Sequence, residues 1–267
     1  MRIIYCLCIA VATMLLTACK KELDIKYKDI EPITVIEGHL TQYGAGVRLT
    51  MTTPMDEPMD ETPLTDAVVT LTDLTTGHSE ILTLNEQGDY ISTAAGITGH
   101  RYELNVRRDG NSYIAGCEMP APAEIVDIAF NWIKMPYDHV AVLQVTFSDP
   151  TPSVTGYYWV RLYRNGEAYK WNLVTDLYAA GGLINDVFMT SRKDLDEEDE
   201  ADALRDGDVV SATVTPVSRE MYDYLEAISS DSNGPSLFTG SFCLGYFLAA
   251  PVAETSIVFQ PDRIPEY

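Results

Sequence analysis

Positive charge is in short supply in this sequence. Its 267 residues include 18 Lys and Arg against 40 Asp and Glu, which gives a formal net charge of −22 at pH 7. Such a surface repels phosphate backbones and anionic lipid headgroups, so the composition argues against a nucleic-acid partner and against membrane binding through a basic patch. Any contact with a membrane is therefore expected to come from attached acyl chains.

Recognisable catalytic and metal-binding motifs are also missing. The 4 histidines are scattered, and no HExxH, P-loop, GxGxxG or GxSxG motif occurs. Cys117 or Cys243 as a nucleophile would need a positioned base, and the sequence points to none. We therefore predict no cofactor and no enzymatic activity, although a carboxylate pair for glycoside hydrolysis stays open among so many acidic residues.

Long apolar runs are absent as well. The run over residues 3–16 is shorter than the roughly 20 residues that a membrane-spanning helix needs. It follows a single basic residue and ends at Leu16-Thr17-Ala18-Cys19, a pattern typical of a secretory signal peptide. The cysteine after Leu-Thr-Ala resembles the lipobox of bacterial lipoproteins. We predict a signal peptide over 1–18, cleavage between Ala18 and Cys19, and lipidation of Cys19. An ordinary secreted protein with an incidental Cys19 is the alternative.

Cysteine becomes rarer still once that signal is removed. Of the 5 cysteines in the sequence, Cys117 and Cys243 are the two that lie beyond Cys19. They could pair in an oxidising envelope, or each could be a small buried apolar side chain. The second reading is favoured, because the two cysteines lie in different predicted domains.

Short runs of alternating apolar residues, by contrast, are plentiful. In residues 47–52 the apolar side chains recur at every second position, and Tyr102, Leu104 and Val106 share one face of another run. Turn signals such as 85–88 separate these runs. About seven short strands over residues 33–120 predict a β-sandwich resembling immunoglobulin or transthyretin domains.

The same reasoning divides the rest of the chain. Residues 19–32 mix charges with little periodicity and are predicted to be a lipidated tether, and 124–267 are predicted to form a second β-sandwich. One helix is predicted at 218–229, with Ser218 as its N-cap and Met221, Leu225 and Ile228 on a buried face. The predicted fold class is all-β, with two consecutive β-sandwich domains and one short helix in the second.

Aromatic residues are concentrated near the start of the second predicted domain. In a strand, Tyr157 and Trp159 share one face while Tyr158 lies on the other, so one of the two faces must be core. Exposed Tyr and Trp side chains can stack on sugars or anchor protein interfaces. We predict that most of these rings are packing and that one or two lie on an exposed edge. The candidate ligand or partner contacts are Tyr157, Tyr158, Trp159 and Trp171.

Acidic residues are concentrated over 192–208. With Asp194 in the first position of a calcium loop, Asp196 and Glu198 fit the next two ligand positions. Asp199, however, stands where the turn requires glycine, and Arg205 stands where the closing glutamate belongs. The spacing therefore favours a solvated loop over a cation site at Asp194, Asp196 and Glu198.

Several short motifs occur in a characteristic order along the chain. After the lipobox they are Val35-Ile36-Glu37-Gly38, Gly88-Asp89-Tyr90, Tyr157-Tyr158-Trp159, Gly207-Asp208-Val209 and Leu244-Gly245-Tyr246-Phe247. Together they resemble the domain-of-unknown-function 4249 family, outer-membrane lipoproteins of Bacteroidota. The resemblance implies acyl chains in outer-membrane lipid and a role beside a TonB-dependent receptor, and it carries over no catalytic residue. The resemblance implies display on the cell surface, which in these bacteria is associated with acidic residues soon after the lipidated cysteine. Glu22 and Asp24 are the two acidic residues close behind Cys19, so the periplasmic face stays open.

Composition, motifs and resemblance together predict a non-enzymatic accessory or binding partner in TonB-dependent nutrient uptake. Two alternatives remain: a surface hydrolase acting on glycan or peptide, and an adhesion or envelope structural protein. A cleft with two converging acids or a Cys–His contact would favour the hydrolase. A flat aromatic patch without a pocket would favour an interaction role.

Overall fold

The computed structural model describes residues 31–54, 57–58, 60–136, 138–179, 182–192 and 203–266. The predicted signal peptide, Cys19, nearly all of the tether and the acidic residues Asp194, Asp196 and Glu198 lie outside the described residues. The chain divides into two units, and the fold described below is that of residues 32–52 with 60 onward. The other unit, 1–31 with 53–59, falls largely outside the described residues. Among the described residues, no helix has the length and apolar character that spanning a membrane requires.

The described residues are mostly strand, with one α-helix, α1 (Arg219–Ser229), and short 3-10 helices at Asp176–Tyr178 and Pro261–Arg263. The strands of the first half are β1 (Thr34–Thr41), β2 (Gly44–Met51), β3 (Val68–Asp73), β4 (His78–Ile81), β5 (Thr83–Leu84), β6 (Tyr90–Ser92), β7 (Arg101–Arg108) and β8 (Asn111–Glu118). Those of the second half are β9 (Glu124–Met135), β10 (Asp138–Ser148), β11 (Tyr157–Arg164), β12 (Glu167–Thr175), β13 (Leu183–Arg192), β14 (Val209–Val217), β15 (Thr239–Gly240), β16 (Leu244–Ala249) and β17 (Ala253–Val258).

Two five-stranded sheets form the first sandwich. Their strand orders are β16-β1-β2-β6-β5 and β15-β8-β7-β3-β4. Alternation along each strand sends every second side chain inward, so Ile36 of β1 and Leu49 of β2 meet Val69 of β3 and Leu104 of β7, all fully buried. The sandwich predicted from the alternating runs is confirmed.

A three-stranded sheet, β13-β10-β9, and a four-stranded sheet, β12-β11-β14-β17, form the second sandwich. Leu143 and Phe147 of β10 pack against Val160 and Leu162 of β11 in its core. Val210, Ala212 and Val214 of β14 complete this core from the neighbouring strand. The predicted all-β class with two sandwiches and one helix is thereby confirmed.

Helix α1 begins where the sequence indicates. The Ser218 side chain accepts a hydrogen bond from the Met221 N–H at 3.2 Å, which satisfies one of the donors that a helix start leaves free. Met221 and Leu225 are buried as predicted, but Ile228 is 49% exposed and Ala227 is buried in its place. The expectation for Ile228 is wrong because the returning chain covers the Ala227 side: the Ser232 N–H donates to the Ala227 carbonyl at 2.9 Å.

After α1 the chain returns to the first sandwich. Strand β16 pairs in parallel with β1, and Phe238, Cys243 and Phe247 join the first core. Strand β17 then goes back to the second sandwich, where it pairs with β14. The predicted second domain, 124–267, therefore contains a segment that completes the first sandwich. Because a pairing between strands so distant in sequence leaves no local pattern, the sequence did not reveal it.

Both remaining cysteines are free thiols, and they lie in the same sandwich. The expectation that they belong to different domains fails because β16 and the residues before it return to the first core. Burial raises the pKa of the Cys117 thiol, and it raises that of Cys243 to about 11. Both side chains are thus protonated thiols at neutral pH, packed as small apolar groups.

Candidate functional site

The two faces of β11 differ in their surroundings. Tyr158, Val160 and Leu162 point into the second core, with exposures of 1% or less. The Tyr158 hydroxyl donates to Asp149 Oδ1 at 2.8 Å, and burial together with that carboxylate raises the pKa of the phenol. Tyr158, one of the candidate contacts, is therefore a core residue.

The opposite face of β11 turns towards α1 and the first sandwich. Tyr157 packs on Tyr222 of α1, with ring centroids 5.1 Å apart. Trp159 has Trp171 and Tyr246 as edge-on neighbours, at 6.3 and 6.2 Å. Trp171, on the outermost strand of the sheet, is 37% exposed. The structure thus brings Trp159 and Trp171 together, whereas Tyr157 belongs to the packing of the helix.

A cavity of about 420 Å³ lies between the two sandwiches, next to Trp159. The outer face of β11, β14 and β17 forms one wall, and β1, β16 and the segment that links β16 to β17 form the other. Strand register sets the first wall, because Arg161 pairs with Thr213 and Thr213 with Glu254 across three neighbouring strands. Trp159 and Thr215 form the next row. Side chains of both rows therefore project in the same direction.

Four buried polar atoms in this first wall have no hydrogen-bond partner among the described residues: Trp159 Nε1, Arg161 Nε, Thr213 Oγ1 and Thr215 Oγ1. Thr213 and Thr215 are 7% and 1% exposed. Native proteins pair the great majority of their buried polar groups, and a buried unpaired group costs about 1–3 kcal/mol. A cluster of such atoms in the wall of one cavity favours polar contents for that cavity, either water or a ligand.

Arg161 is the centre of this cluster. Its guanidinium carbon lies 4.2 Å from the centroid of the Trp159 ring, a cation–π contact. Among the described residues, no carboxylate forms an ion pair with it. A guanidinium carries five N–H donors, and the stacking satisfies none of them. Donors therefore remain available to a ligand.

Among the described residues of the opposite wall, none carries a charge at neutral pH. His39 is exposed at the cavity, yet desolvation and then the nearby Arg161 charge lower the pKa of its imidazole, so it is neutral at pH 7. Burial, reinforced by Glu37, raises the pKa of Tyr246 to about 12. Leu248, adjacent to His39 in the β1–β16 pairing, adds apolar surface. Arg161 is thus the one positively charged side chain among the described residues that line the cavity.

Hydrogen bonds fix the segment that crosses between the sandwiches. The Gln42 side-chain amide donates to the Val252 carbonyl at 2.7 Å and accepts from the Val252 N–H at 2.9 Å. The Ala250 N–H donates to the Leu40 carbonyl at 2.9 Å. Because Ala250 and Val252 both line the cavity, these bonds give it a defined wall.

Sequence reasoning missed the polar half of this site. Arg161 shares the Trp159 face of a strand, but an arginine on a strand is more commonly solvated. The available signal was in β14, where Ser211, Thr213 and Thr215 alternate with apolar residues that are all core. His39 and Tyr246 carried no local signal, because tertiary pairing alone brings them to the cavity.

Metal binding has no support among the described residues, where no group of three His, Cys, Asp or Glu side chains could hold an ion. Asp194, Asp196 and Glu198 lie outside them, so the preference for a solvated loop over a cation site at those residues stays a prediction.

Fold and site together define an all-β protein of two sandwiches with a polar-lined cavity between them. The family model of a domain of unknown function (DUF4249) matches residues 20–256. The chain therefore belongs to this family, and the resemblance inferred from its motifs is confirmed. The matched region spans both sandwiches and the cavity. No curated protein matches the chain.

Proposed function

We propose that this protein is a lipid-anchored envelope protein that binds a small ligand between its two sandwiches and serves as a non-enzymatic accessory in uptake by a TonB-dependent receptor. The observation that carries the binding role is the group of four partnerless buried polar atoms around one cavity. The volume, about 420 Å³, is within the range of small-molecule sites. Aromatic walls with a few fixed polar groups are also typical of such sites.

The composition of the cavity favours binding over hydrolysis. Among the described residues that line it, Glu254 is the single carboxylate, whereas glycoside hydrolysis uses two. Cys117 and Cys243 have raised pKa values and are packed in the first sandwich, so neither resembles an activated thiolate at the cavity. These observations favour a ligand that binds in the cavity and is released without chemical change.

The anchor rests on the sequence around Cys19. We expect the protein to incorporate labelled palmitate and to fractionate with the outer membrane. A Cys19→Ser variant should lose both properties, while Cys117→Ser keeps them as the matched control. An unlabelled wild-type protein recovered from the cytosol would refute the anchor.

The uptake role is tested in detergent-solubilised membranes of the native host. Affinity capture of the tagged protein, followed by mass spectrometry, should recover a TonB-dependent receptor enriched over capture with an unrelated lipoprotein. The same receptor should be recovered after in-cell crosslinking. Capture without any such receptor would contradict the accessory role and favour an adhesion or envelope function.

A further inference from the structure

We infer that the cavity binds a small organic monocarboxylate, with the carboxylate on Arg161 and with the apolar part of the ligand against Trp159 and Tyr246. This assignment rests on the proposed binding function and specifies its ligand class. It follows from the unsatisfied groups, from the charge of the cavity and from its apolar walls.

The unsatisfied groups match one carboxylate. Arg161 and Thr213 are directly paired across β11 and β14, so their Cβ atoms are about 5 Å apart. A planar guanidinium takes a carboxylate through two parallel N–H···O bonds. Because no carboxylate of the described residues pairs with this guanidinium, an anionic ligand gains a charge-assisted contact there that a neutral ligand lacks.

The charge of the cavity limits that anion to one negative charge. Arg161 is the single cation among the described residues that line it, and Glu254 lies in the same cross-strand row beyond Thr213. With strands about 4.8 Å apart, Glu254 is two strand spacings, roughly 10 Å, from Arg161. The second negative charge of a dicarboxylate or a phosphate dianion would therefore lie near Glu254 or near neutral groups. The net charge of −22 adds a further repulsion against it.

The rest of the wall suits an apolar ligand body. Trp159 and Tyr246 meet edge to face at 6.2 Å, and Leu248 and Ala250 line the space beside them. A neutral sugar could stack on these rings, but it would leave the Arg161 charge unpaired. A monocarboxylate pairs its charge with Arg161 and packs its apolar part against the aromatic rings.

Binding is tested on the purified full-length protein in detergent. The probes are acetate, butyrate, benzoate, benzamide, phenyl phosphate, succinate and glucose, followed by ligand-observed NMR and by isothermal titration. Butyrate or benzoate should bind, and benzamide, phenyl phosphate and succinate should bind at least tenfold more weakly than benzoate. Binding should also change the fluorescence of the wild type, and a Trp159→Phe variant should lose most of that change.

Arginine variants separate charge from fold. Arg161→Gln should weaken benzoate binding by roughly tenfold or more and abolish the preference for benzoate over benzamide. Arg161→Lys keeps the charge and loses the planar arrangement of donors, so its affinity for benzoate should lie between those of the wild type and Arg161→Gln. Arg107→Gln is the matched control, because Arg107 is an exposed strand arginine of the first sandwich. It should bind benzoate as the wild type does.

The ligand class and the binding role fail in different ways. Equal benzoate affinity in wild type and Arg161→Gln would overturn the carboxylate assignment and leave a binding cavity. If glucose binds and none of the carboxylate probes does, the carboxylate assignment is likewise overturned and a binding cavity remains. If none of the seven probes binds to the folded wild type, both the carboxylate assignment and the binding role are overturned.

Discussion

Replacing Thr215 by valine removes one hydroxyl from the cavity and keeps the shape of the side chain. Thr215 is 1% exposed, and its Oγ1 has no hydrogen-bond partner among the described residues. A buried unsatisfied group costs about 1–3 kcal/mol, and valine fits a strand as well as threonine does. We therefore expect Thr215→Val to raise the free energy of unfolding of the ligand-free protein by about 1 kcal/mol.

Thr190 provides the matched control, because it is also a buried strand threonine but has a partner. It is 5% exposed, and its hydroxyl donates to the Ala141 carbonyl at 3.0 Å. Thr190→Val should lower the free energy of unfolding by about 1–2 kcal/mol, since it removes a hydrogen bond in the interior. The same substitution is thus expected to act in opposite directions at the two sites.

Urea denaturation and differential scanning calorimetry measure both effects. For a chain of this size, 1 kcal/mol corresponds to about 2–4 °C in Tm. An unchanged urea m-value would show that the change in the free energy of unfolding does not come from the unfolded state. If Thr215→Val destabilises as much as Thr190→Val does, the Thr215 hydroxyl is satisfied in the free protein. The inference that this wall of the cavity binds a polar ligand would then be wrong.

Three further predictions concern the elements around the site. Ser218→Ala should cost α1 about 1 kcal/mol in urea denaturation, whereas Ser218→Asp keeps an acceptor and should cost little. Gly245→Ala should cost at least about 3 kcal/mol, because the φ of Gly245 is +105° and a Cβ there would clash with the Ile36 carbonyl oxygen of β1. Gly116→Ala, with 3.7 Å to the nearest atom, is the control, and an equal loss in both would refute the steric argument. The pKa of Asp73 is lowered to about 2, because hydrogen bonds from His100 and from turn N–H groups outweigh the burial that would raise it. Its ionised form therefore stabilises the fold above pH 4, and that contribution is lost as the pH falls towards 2. Asp73→Asn should flatten the pH dependence of stability in this window, and an unchanged acid profile would contradict the assignment.

Local patterns were sufficient for the secondary structure and for much of the architecture. Strand alternation, turn residues and the Ser218 cap are encoded by neighbours in sequence, so the two sandwiches and the start of α1 could be predicted. The alternation in β11 also showed that Tyr158 and Trp159 lie on opposite faces. It did not show which face is core, because both carry large apolar residues. That choice depends on what packs against the strand, namely β10 on one side and α1 with β16 on the other.

The sequence by itself determined the acidic surface, the strands, the turns and the family to which the chain belongs. Tertiary structure alone decided the return of β16 to the first sandwich, and with it the position of Tyr246 and His39 opposite Arg161. Hydrogen bonds within a turn or a helix join residues a few positions apart, so their signal stays local. The cavity depends on pairing between β1 and β16, which are separated by most of the chain, and such pairing is decided only when the whole core assembles.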